Sequence, residues 1–209
     1  MPAKVNEREY RDIDMKNIMY RSMEDGNDVV EGYAATWDEY LLWDDGEYRM
    51  FERFDPHAFD GCDMSDVIMQ LNHEGRVYAR GGNKTLTVGP DDKGLHMAAY
   101  LGGTTEGRKI LEEIKGGYLT KMSHGFRVKR HKREVVEDRE NRRVDIHRTI
   151  LEVAKEFDVS VVSLPANDAT SISARNFSEG VIAEVKQELL ATEERKRKQN
   201  QIAIAAKSF

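Results

Sequence analysis

The sequence predicts a mainly β protein of the α+β class, built on an antiparallel sheet or barrel. Short runs rich in β-branched and aromatic residues recur between residues 29 and 101. Glycine, proline and aspartate clusters separate these runs, as at 81–82 and 89–94. Helical spacing of apolar residues occurs at 104–115 and again beyond Asn176. Many short strands divided by turns are typical of antiparallel architectures.

The first 101 residues divide into a leader and five predicted strands. Residues 1–28 are polar and weakly periodic, which predicts a flexible leader or an edge strand around Tyr10, Ile13 and Met19. The strands are predicted at 29–36, 48–54, 67–71, 85–88 and 95–101.

The second half begins with a short amphipathic helix at 104–115, which has a threonine at its start and a glycine pair after its end. Strand signals resume at 118–128, and a charged hairpin is predicted at 129–146 with an exposed tip near 137–142. A last helix is marked by apolar residues at helical spacing, namely Val181, Ile182, Val185 and Leu189. We therefore divide the chain into a leader (1–28), one catalytic domain (29–175) and a charged helical tail (176–209) that docks weakly, binds a partner or is removed.

Composition excludes several classes of protein. The net charge is −6 and 33% of the residues are charged, which argues against a nucleic-acid binder that relies on a basic surface. The apolar runs are strand-sized and the N-terminus lacks the apolar segment of a signal peptide. We expect no nucleic-acid or membrane partner, and a protein that stays in the cytoplasm.

Two segments carry residues suited to covalent catalysis. Ser123 lies in a strand-like run at 118–126, and His73 ends another at 67–73. Serine is a weak nucleophile at neutral pH, so it needs a base within hydrogen-bond reach and a group that orients the base. Strand alternation places His124 on the face opposite Ser123, which makes His73 the better base. A cross-strand hydrogen-bonding serine and a surface histidine are the alternatives.

A third group is needed to orient the imidazole. Asp158 opens the β-branched run at 158–162, where a rigid strand would hold its carboxylate. Glu152 and Glu156 compete with it, and no spacing rule separates the three acids.

Metal and thiol chemistry have weaker support. The six histidines form no pair at ligand spacing, and the glycine pairs form no phosphate-binding loop. The single Cys62 lies in an acidic run, which raises the pKa of a thiol and disfavours the thiolate. We predict no cofactor and no metal.

Six runs occur together in one order and spacing: 32–37, 55–59, 71–74, 94–95, 122–126 and 158–167. In that order they resemble the caudovirus prohead serine protease family, the maturation proteases of tailed bacteriophages. The resemblance covers roughly residues 29–175. It implies a fold similar to the herpesvirus assemblin protease, a closed β-barrel flanked by helices.

The resemblance also implies the site. His73 of the Asn-His motif is the general base, Ser123 of the Ser-x-Gly-Phe motif is the nucleophile, and Asp158 before Val-Ser is the third member. Many relatives have glutamate at the third position, and assemblin has a second histidine. The likeness to assemblin places oxyanion donors around Ala166 and Asn167.

The function that this resemblance implies is a serine endopeptidase that cleaves the scaffolding segment of the major capsid protein, and then itself, inside an immature capsid in the host cytoplasm. It further implies a homo-oligomer such as a dimer, for which the helix at 104–115 and the tail helix are the apolar faces. One alternative is a non-catalytic assembly or scaffolding factor with the same fold. An esterase is disfavoured because the chain lacks Gly-x-Ser-x-Gly and the alternation of strands and helices.

Overall fold

The structure is a computed structural model of the 209-residue chain. It describes residues 7–14, 19–22, 28–138, 140–163 and 168–206. The strands are β1 (Arg8–Asp14), β2 (Met19–Ser22), β3 (Asp28–Thr36), β4 (Tyr40–Asp44), β5 (Tyr48–Phe54), β6 (Ile68–Leu71), β7 (Glu74–Arg80), β8 (Leu86–Pro90), β9 (Gly94–Tyr100), β10 (Lys121–Asp138) and β11 (Arg143–Val162). The helices are α1 (Thr105–Lys115) and α2 (Asp168–Ala206), with a short 3-10 turn at Gly81–Asn83. The predicted α+β, mainly β class is confirmed.

The strands form two sheets that share one core. The first sheet has the order β1-β10-β11-β5-β4, with β6 and β7 attached beside β11. The second has the order β2-β3-β9-β8. Most neighbours are antiparallel, but β5 and β6 each run parallel to a different part of the long strand β11. Strand pairing among the described residues closes neither sheet on itself, so the closed barrel stays a prediction.

The five predicted strands coincide with β3, β5, β6, β8 and β9 to within a few residues. The sequence analysis did not find β4 or β7, and burial explains why. Most residues of both strands are partly or fully exposed, so neither carries the alternation of apolar and polar residues that identifies a strand.

Helix α1 begins as the sequence predicts. The hydroxyl of Thr104 accepts a hydrogen bond from the Gly107 amide at 2.9 Å, which caps the first turn. Its apolar side chains Ile110, Leu111 and Ile114 are buried in the main core. The expectation that this apolar face is free for dimerisation is therefore wrong, because the chain's own sheets already cover it.

Strands β10 and β11 form one long antiparallel hairpin. Strand β10 begins at Lys121 rather than at residue 118, because the backbone N–H of Tyr118 still donates to the Glu113 carbonyl of α1 at 2.9 Å. The register shifts several times between Gly125 and His131, which marks bulges in the middle of the hairpin. This hairpin carries two of the three predicted catalytic residues.

Helix α2 packs the side chains at 181–185 into a second core. Val181, Ile182 and Val185 are buried against Tyr48, Met50 and Ile146 of the first sheet. The helix begins at Asp168, before the predicted 176, and its side chains are exposed from Leu190 to Ile204. The proximal part of the expected dimer face is thus covered by the chain itself, whereas Leu190, Ile202 and Ile204 farther along the helix are exposed. Among the described residues, no helix is both long and apolar enough to cross a membrane.

Candidate functional site

Ser123 lies in the middle of the first sheet. In the two strand pairs that flank β10, its register partners are Asp12 of β1 and Ser160 of β11. Ser123 is fully buried. The Asp12 carboxylate and the Ser123 hydroxyl are close enough to interact electrostatically. In the described part of the chain, neither Oδ1 of Asp12 nor Oγ of Ser123 has a partner at hydrogen-bond geometry.

His73 lies in a tight turn and not at a strand end. Leu71 pairs with Glu74 across the β6–β7 hairpin, which leaves Asn72 and His73 as the two turn residues. Their φ angles are 53° and 61°. Positive φ at both central residues is the pattern of a type I′ turn, and asparagine tolerates it better than most residues.

Side-chain and backbone hydrogen bonds fix this turn to β11. The Asn72 amide donates to the Val161 carbonyl at 2.9 Å. The backbone N–H and the hydroxyl of Ser163 both donate to Oδ1 of Asn72, at 3.0 and 3.1 Å. Strand β6 runs parallel to β11, with Ile68 beside Asp158 and Leu71 beside Val161. The turn that follows Leu71 therefore lies next to the part of β11 that carries Asp158.

His73 and Asp158 are in direct contact. Nδ1 of His73 lies 2.5 Å from Oδ1 of Asp158, and the Ser160 hydroxyl donates to the same oxygen at 2.6 Å. Arg8 donates to the other oxygen, Oδ2. Burial would raise the pKa of Asp158, but these partners outweigh it and hold that pKa below its ordinary value. An ionised Asp158 keeps the proton of neutral imidazole on Nδ1 and leaves Nε2 as the basic nitrogen.

The basic nitrogen lies within the same buried region. Nε2 of His73 is buried and has no hydrogen-bond partner in the part of the chain that the structure describes. Asp158 and Ser160 lie on one face of β11, and Ser160 pairs with Ser123. The His73 ring that contacts Asp158 therefore lies on the same face of the sheet as Ser123. In apo enzymes the bond between nucleophile and base is often long and shortens when substrate binds.

The structure separates the three acids that the sequence left open. Glu156 lies 3.1 Å from Nδ1 of His124, and both residues are buried. Glu152 forms ion pairs with Lys129 and Arg130 on an exposed part of the hairpin. Of the three acids, Asp158 is the one that contacts His73.

His124 is buried in the core on the face of the sheet opposite Ser123. Its ring stacks on Phe126 with 4.6 Å between centroids and lies 5.5 Å from the Phe54 ring. It is thus buried among aromatic side chains, as strand alternation predicts for the face opposite Ser123.

Strand β1 contributes three residues that the sequence analysis did not identify. Arg8 binds Asp158, the Tyr10 ring packs edge-on to the His73 ring at 4.5 Å, and Asp12 faces Ser123. They alternate along one face of the strand. The sequence analysis offered an edge strand around Tyr10 as one alternative, but the residues between Arg8, Tyr10 and Asp12 are also polar, so no amphipathic pattern identified the face toward the site.

Thiol and metal chemistry find little support in the geometry. Burial, with the nearby Glu156 carboxylate, raises the pKa of Cys62 to about 12, so the thiolate is scarce at neutral pH. Within the described ranges, no group of three histidine, cysteine, aspartate or glutamate residues could hold a metal ion. The residues proposed for the oxyanion, Ala166 and Asn167, lie outside the described residues.

A buried carboxylate on one imidazole nitrogen, with a serine on the same face, is the arrangement that serine hydrolases use. The sequence model described as caudovirus prohead serine protease matches residues 16–187. The chain belongs to this family. The match extends beyond the resemblance at 29–175 and leaves β1 outside it. Neither the curated proteins nor the solved structures give a significant match to the chain.

Proposed function

We propose that the protein is the endopeptidase that matures a phage prohead, with Ser123 as nucleophile, His73 as general base and Asp158 as the residue that orients the base. The observation that carries this proposal is the contact between Nδ1 of His73 and the buried Asp158 carboxylate at 2.5 Å. This contact favours the imidazole tautomer that leaves Nε2 free to act as a base. The chain that carries it belongs to the prohead serine protease family.

In the acylation step, Oγ of Ser123 attacks the carbonyl carbon of the scissile peptide bond while Nε2 of His73 takes the hydroxyl proton. The imidazolium that forms is stabilised by Asp158. When the tetrahedral intermediate collapses, the C–N bond breaks and His73 gives its proton to the leaving amine. An acyl-enzyme on Ser123 remains.

Deacylation repeats these steps with water. His73 takes a proton from the water molecule as the water oxygen attacks the ester carbonyl. The bond between the acyl carbon and Oγ of Ser123 then breaks, the proton passes from His73 to Oγ, and the new carboxylic acid end of the peptide leaves. Both tetrahedral intermediates need hydrogen-bond donors for the oxyanion, each worth about 3 kcal/mol in measured enzymes.

Access to the nucleophile requires a conformational change. Ser123 is fully buried, so a peptide cannot reach Oγ in the form described here. A closed site suits an enzyme that acts only after assembly, when the high local concentration inside a capsid allows a weakly active enzyme to suffice. A non-catalytic assembly factor could also have a fully buried serine. A cleavage assay therefore distinguishes the two functions, whereas the structure of the closed form does not.

The substrates follow from the family, whose members act on capsid proteins within the prohead. We propose that the cleaved bonds lie in the scaffolding segment of the major capsid protein and in the enzyme itself, in the host cytoplasm. The exposed part of α2, from Leu190 onward, carries the charged run 193–198 and would dock on the scaffold. A homo-oligomer and a closed barrel belong to the same proposal, and contacts of β3 with β1 and β10 of the other sheet support the barrel.

The direct test is processing of the phage's own capsid protein by variants of this chain, followed by mass spectrometry over time. Ser123→Ala is expected to abolish processing without unfolding the protein, since one oxygen atom is lost. Ser178→Ala is the matched control, because Ser178 is equally buried but lies in α2. Normal cleavage by Ser123→Ala would remove Ser123 from the mechanism, and no cleavage by the unaltered chain would favour the assembly factor.

A further inference from the structure

Strand β1 brings a guanidinium group to the far side of the Asp158 carboxylate. Arg8 donates to Oδ2 of Asp158, while His73 and Ser160 occupy Oδ1. Asp158 is fully buried, whereas Arg8 is 36% exposed. The carboxylate therefore has a separate partner on each oxygen.

Two aromatic rings hold the guanidinium in place. The Arg8 guanidinium carbon lies 4.9 Å from the centre of the Tyr10 ring and 4.7 Å from that of the Phe157 ring. Cation–π contacts of this length favour one orientation of the planar group. Since Tyr10 also packs on His73, the same ring borders both partners of Asp158.

The backbone opposite leaves room for this contact. A Cβ atom on Gly125 would lie 2.5 Å from Oδ2 of Asp158 and 2.8 Å from Nε of Arg8. Any side chain at that position would force the two charged groups to shift.

Strand β1 itself is fixed from its other face. Glu9 and Arg11 point away from the catalytic residues into a buried ionic cluster with Glu52 and Arg148. Nε of Arg11 donates to Glu52 at 2.5 Å, and Nη1 of Arg148 donates to both Glu9 and Glu52. Buried charges paired in this way resist displacement, because separating them leaves an uncompensated charge in the interior.

We propose that Arg8 is a positioning residue of the active site, whose guanidinium orients the Asp158 carboxylate toward His73 and balances part of its charge. The inference rests on the proposed function, since it concerns the same three residues. It assigns a role to β1, which precedes the matched residues 16–187.

Several other charged or titratable groups surround the His73–Asp158 pair. Strand β1 adds Tyr10 and Asp12, β10 adds Lys121 and His124 through their interactions with Asp12, and β11 adds Glu156. Arg8 differs from these in that it binds the Asp158 carboxylate directly.

Loss of the positive charge would alter both the rate and its pH dependence. Without Arg8, Asp158 attracts a protonated His73 more strongly, so the acid limb of the pH–rate profile moves to higher pH. Without the guanidinium group, the carboxylate is also held less firmly, which slows the reaction of Ser123 at every pH.

The test measures the rate of fluorophosphonate labelling at Ser123 as a function of pH, together with the thermal unfolding midpoint. Arg8→Gln is expected to lower the plateau rate by roughly 10- to 100-fold, the order expected for a misplaced catalytic group, and to move the acid limb to higher pH. Arg8→Lys keeps the charge, so its acid limb should stay near that of the unaltered chain while the plateau recovers only in part. Arg21→Gln is the matched control, because Arg21 is a strand arginine paired with Glu31 in the second sheet.

The outcomes distinguish this inference from the function on which it rests. Labelling of the unaltered chain, combined with an unchanged rate and pH profile in Arg8→Gln, overturns the role of Arg8 alone. An equal loss in Arg8→Gln and Arg8→Lys with no movement of the acid limb also overturns it, because that result indicates a structural effect. If the unaltered chain is labelled at Ser123 neither in solution nor inside proheads, the proposed function fails and the role of Arg8 fails with it.

Discussion

Gly125 lies directly opposite Asp158 in the β10–β11 pair, and the absence of a Cβ atom on Gly125 makes room for the Asp158 carboxylate. A Cβ atom there would lie 2.5 Å from Oδ2 of Asp158, closer than nonbonded atoms approach. The glycine of the Ser-x-Gly-Phe motif thus makes room for Asp158, the proposed third member of the site.

Gly125→Ala should therefore impair the site more than the fold. We expect Asp158 and Arg8 to shift, labelling of Ser123 to fall by about 100-fold, and the free energy of unfolding to fall by about 1–3 kcal/mol, as for other overpacked sites. Gly89→Ala is the control, because Gly89 also lies in a strand but a Cβ atom there meets nothing within 4 Å. Labelling of Gly125→Ala at the rate of Gly89→Ala would show that this space is not needed.

Replacement of Asp158 should affect activity through the tautomer of His73. Asp158→Asn offers an amide in place of the carboxylate that accepts the Nδ1 proton, and the corresponding change in a serine protease lowers kcat by about 10⁴-fold. We expect a loss of that order in the labelling rate at neutral pH. Glu156→Gln tests the competing acid, and its labelling rate should stay near that of the unaltered chain because Glu156 bonds His124 instead. The reverse pattern would make Glu156 the third member.

The buried ionic cluster should make stability depend on acid pH. Burial would raise the pKa of Glu52, but Arg11 and Arg148 outweigh it and lower that pKa from 4.5 to about 2. A lowered folded-state pKa means that Glu52 contributes stability above its unfolded pKa and loses that contribution as pH falls toward 2.

Glu52→Gln should therefore lower the free energy of unfolding at neutral pH by about 3–5 kcal/mol, since it leaves buried arginines less compensated. It should also make the decline of stability between about pH 4.5 and 2 shallower. Urea unfolding at several pH values measures both effects, with the exposed Glu47→Gln as control. If the stability of Glu52→Gln still declines as steeply between about pH 4.5 and 2, other carboxylates cause the decline.

The two parts of α2 should contribute unequally to stability. Ile182 is buried against the first sheet, so Ile182→Ala should lower the free energy of unfolding by about 2–5 kcal/mol. Truncation after Leu190 removes a segment whose described side chains, up to Ile204, are all exposed, and should change the free energy of unfolding by less than about 0.5 kcal/mol. Chemical denaturation of both variants checks this, and strong destabilisation by the truncation would show that the distal helix packs somewhere.

The sequence allowed prediction of those elements whose apolar residues follow the period of their structure. Strand β5 was predicted at 48–54 and lies at Tyr48–Phe54, because its buried residues alternate strictly. Strand β1 has polar residues on both faces, one toward the buried ionic cluster and the other toward the candidate catalytic residues. The sequence offered it only as one of two alternatives, a flexible leader or an edge strand, because the partners of its polar residues are distant in sequence.

The candidate site was predictable in part for a similar reason. The motifs suggested Ser123 and His73, but the choice among Asp158, Glu152 and Glu156 depends on which acid faces His73. That choice follows from the parallel pairing of β6 with β11, in which Asp158 pairs with Ile68, and from the left-handed turn at His73. Neither the parallel pairing nor the turn can be predicted from the spacing of residues in the sequence.

The most direct measurement is fluorophosphonate labelling of the purified chain, with the adduct located by peptide mass spectrometry and compared between the unaltered protein and His73→Ala. The account predicts an adduct on Ser123 that disappears when His73 is replaced, because an unactivated serine does not react at an appreciable rate. Absence of an adduct, both in solution and inside proheads, or an adduct on Ser123 that persists without His73, would contradict it.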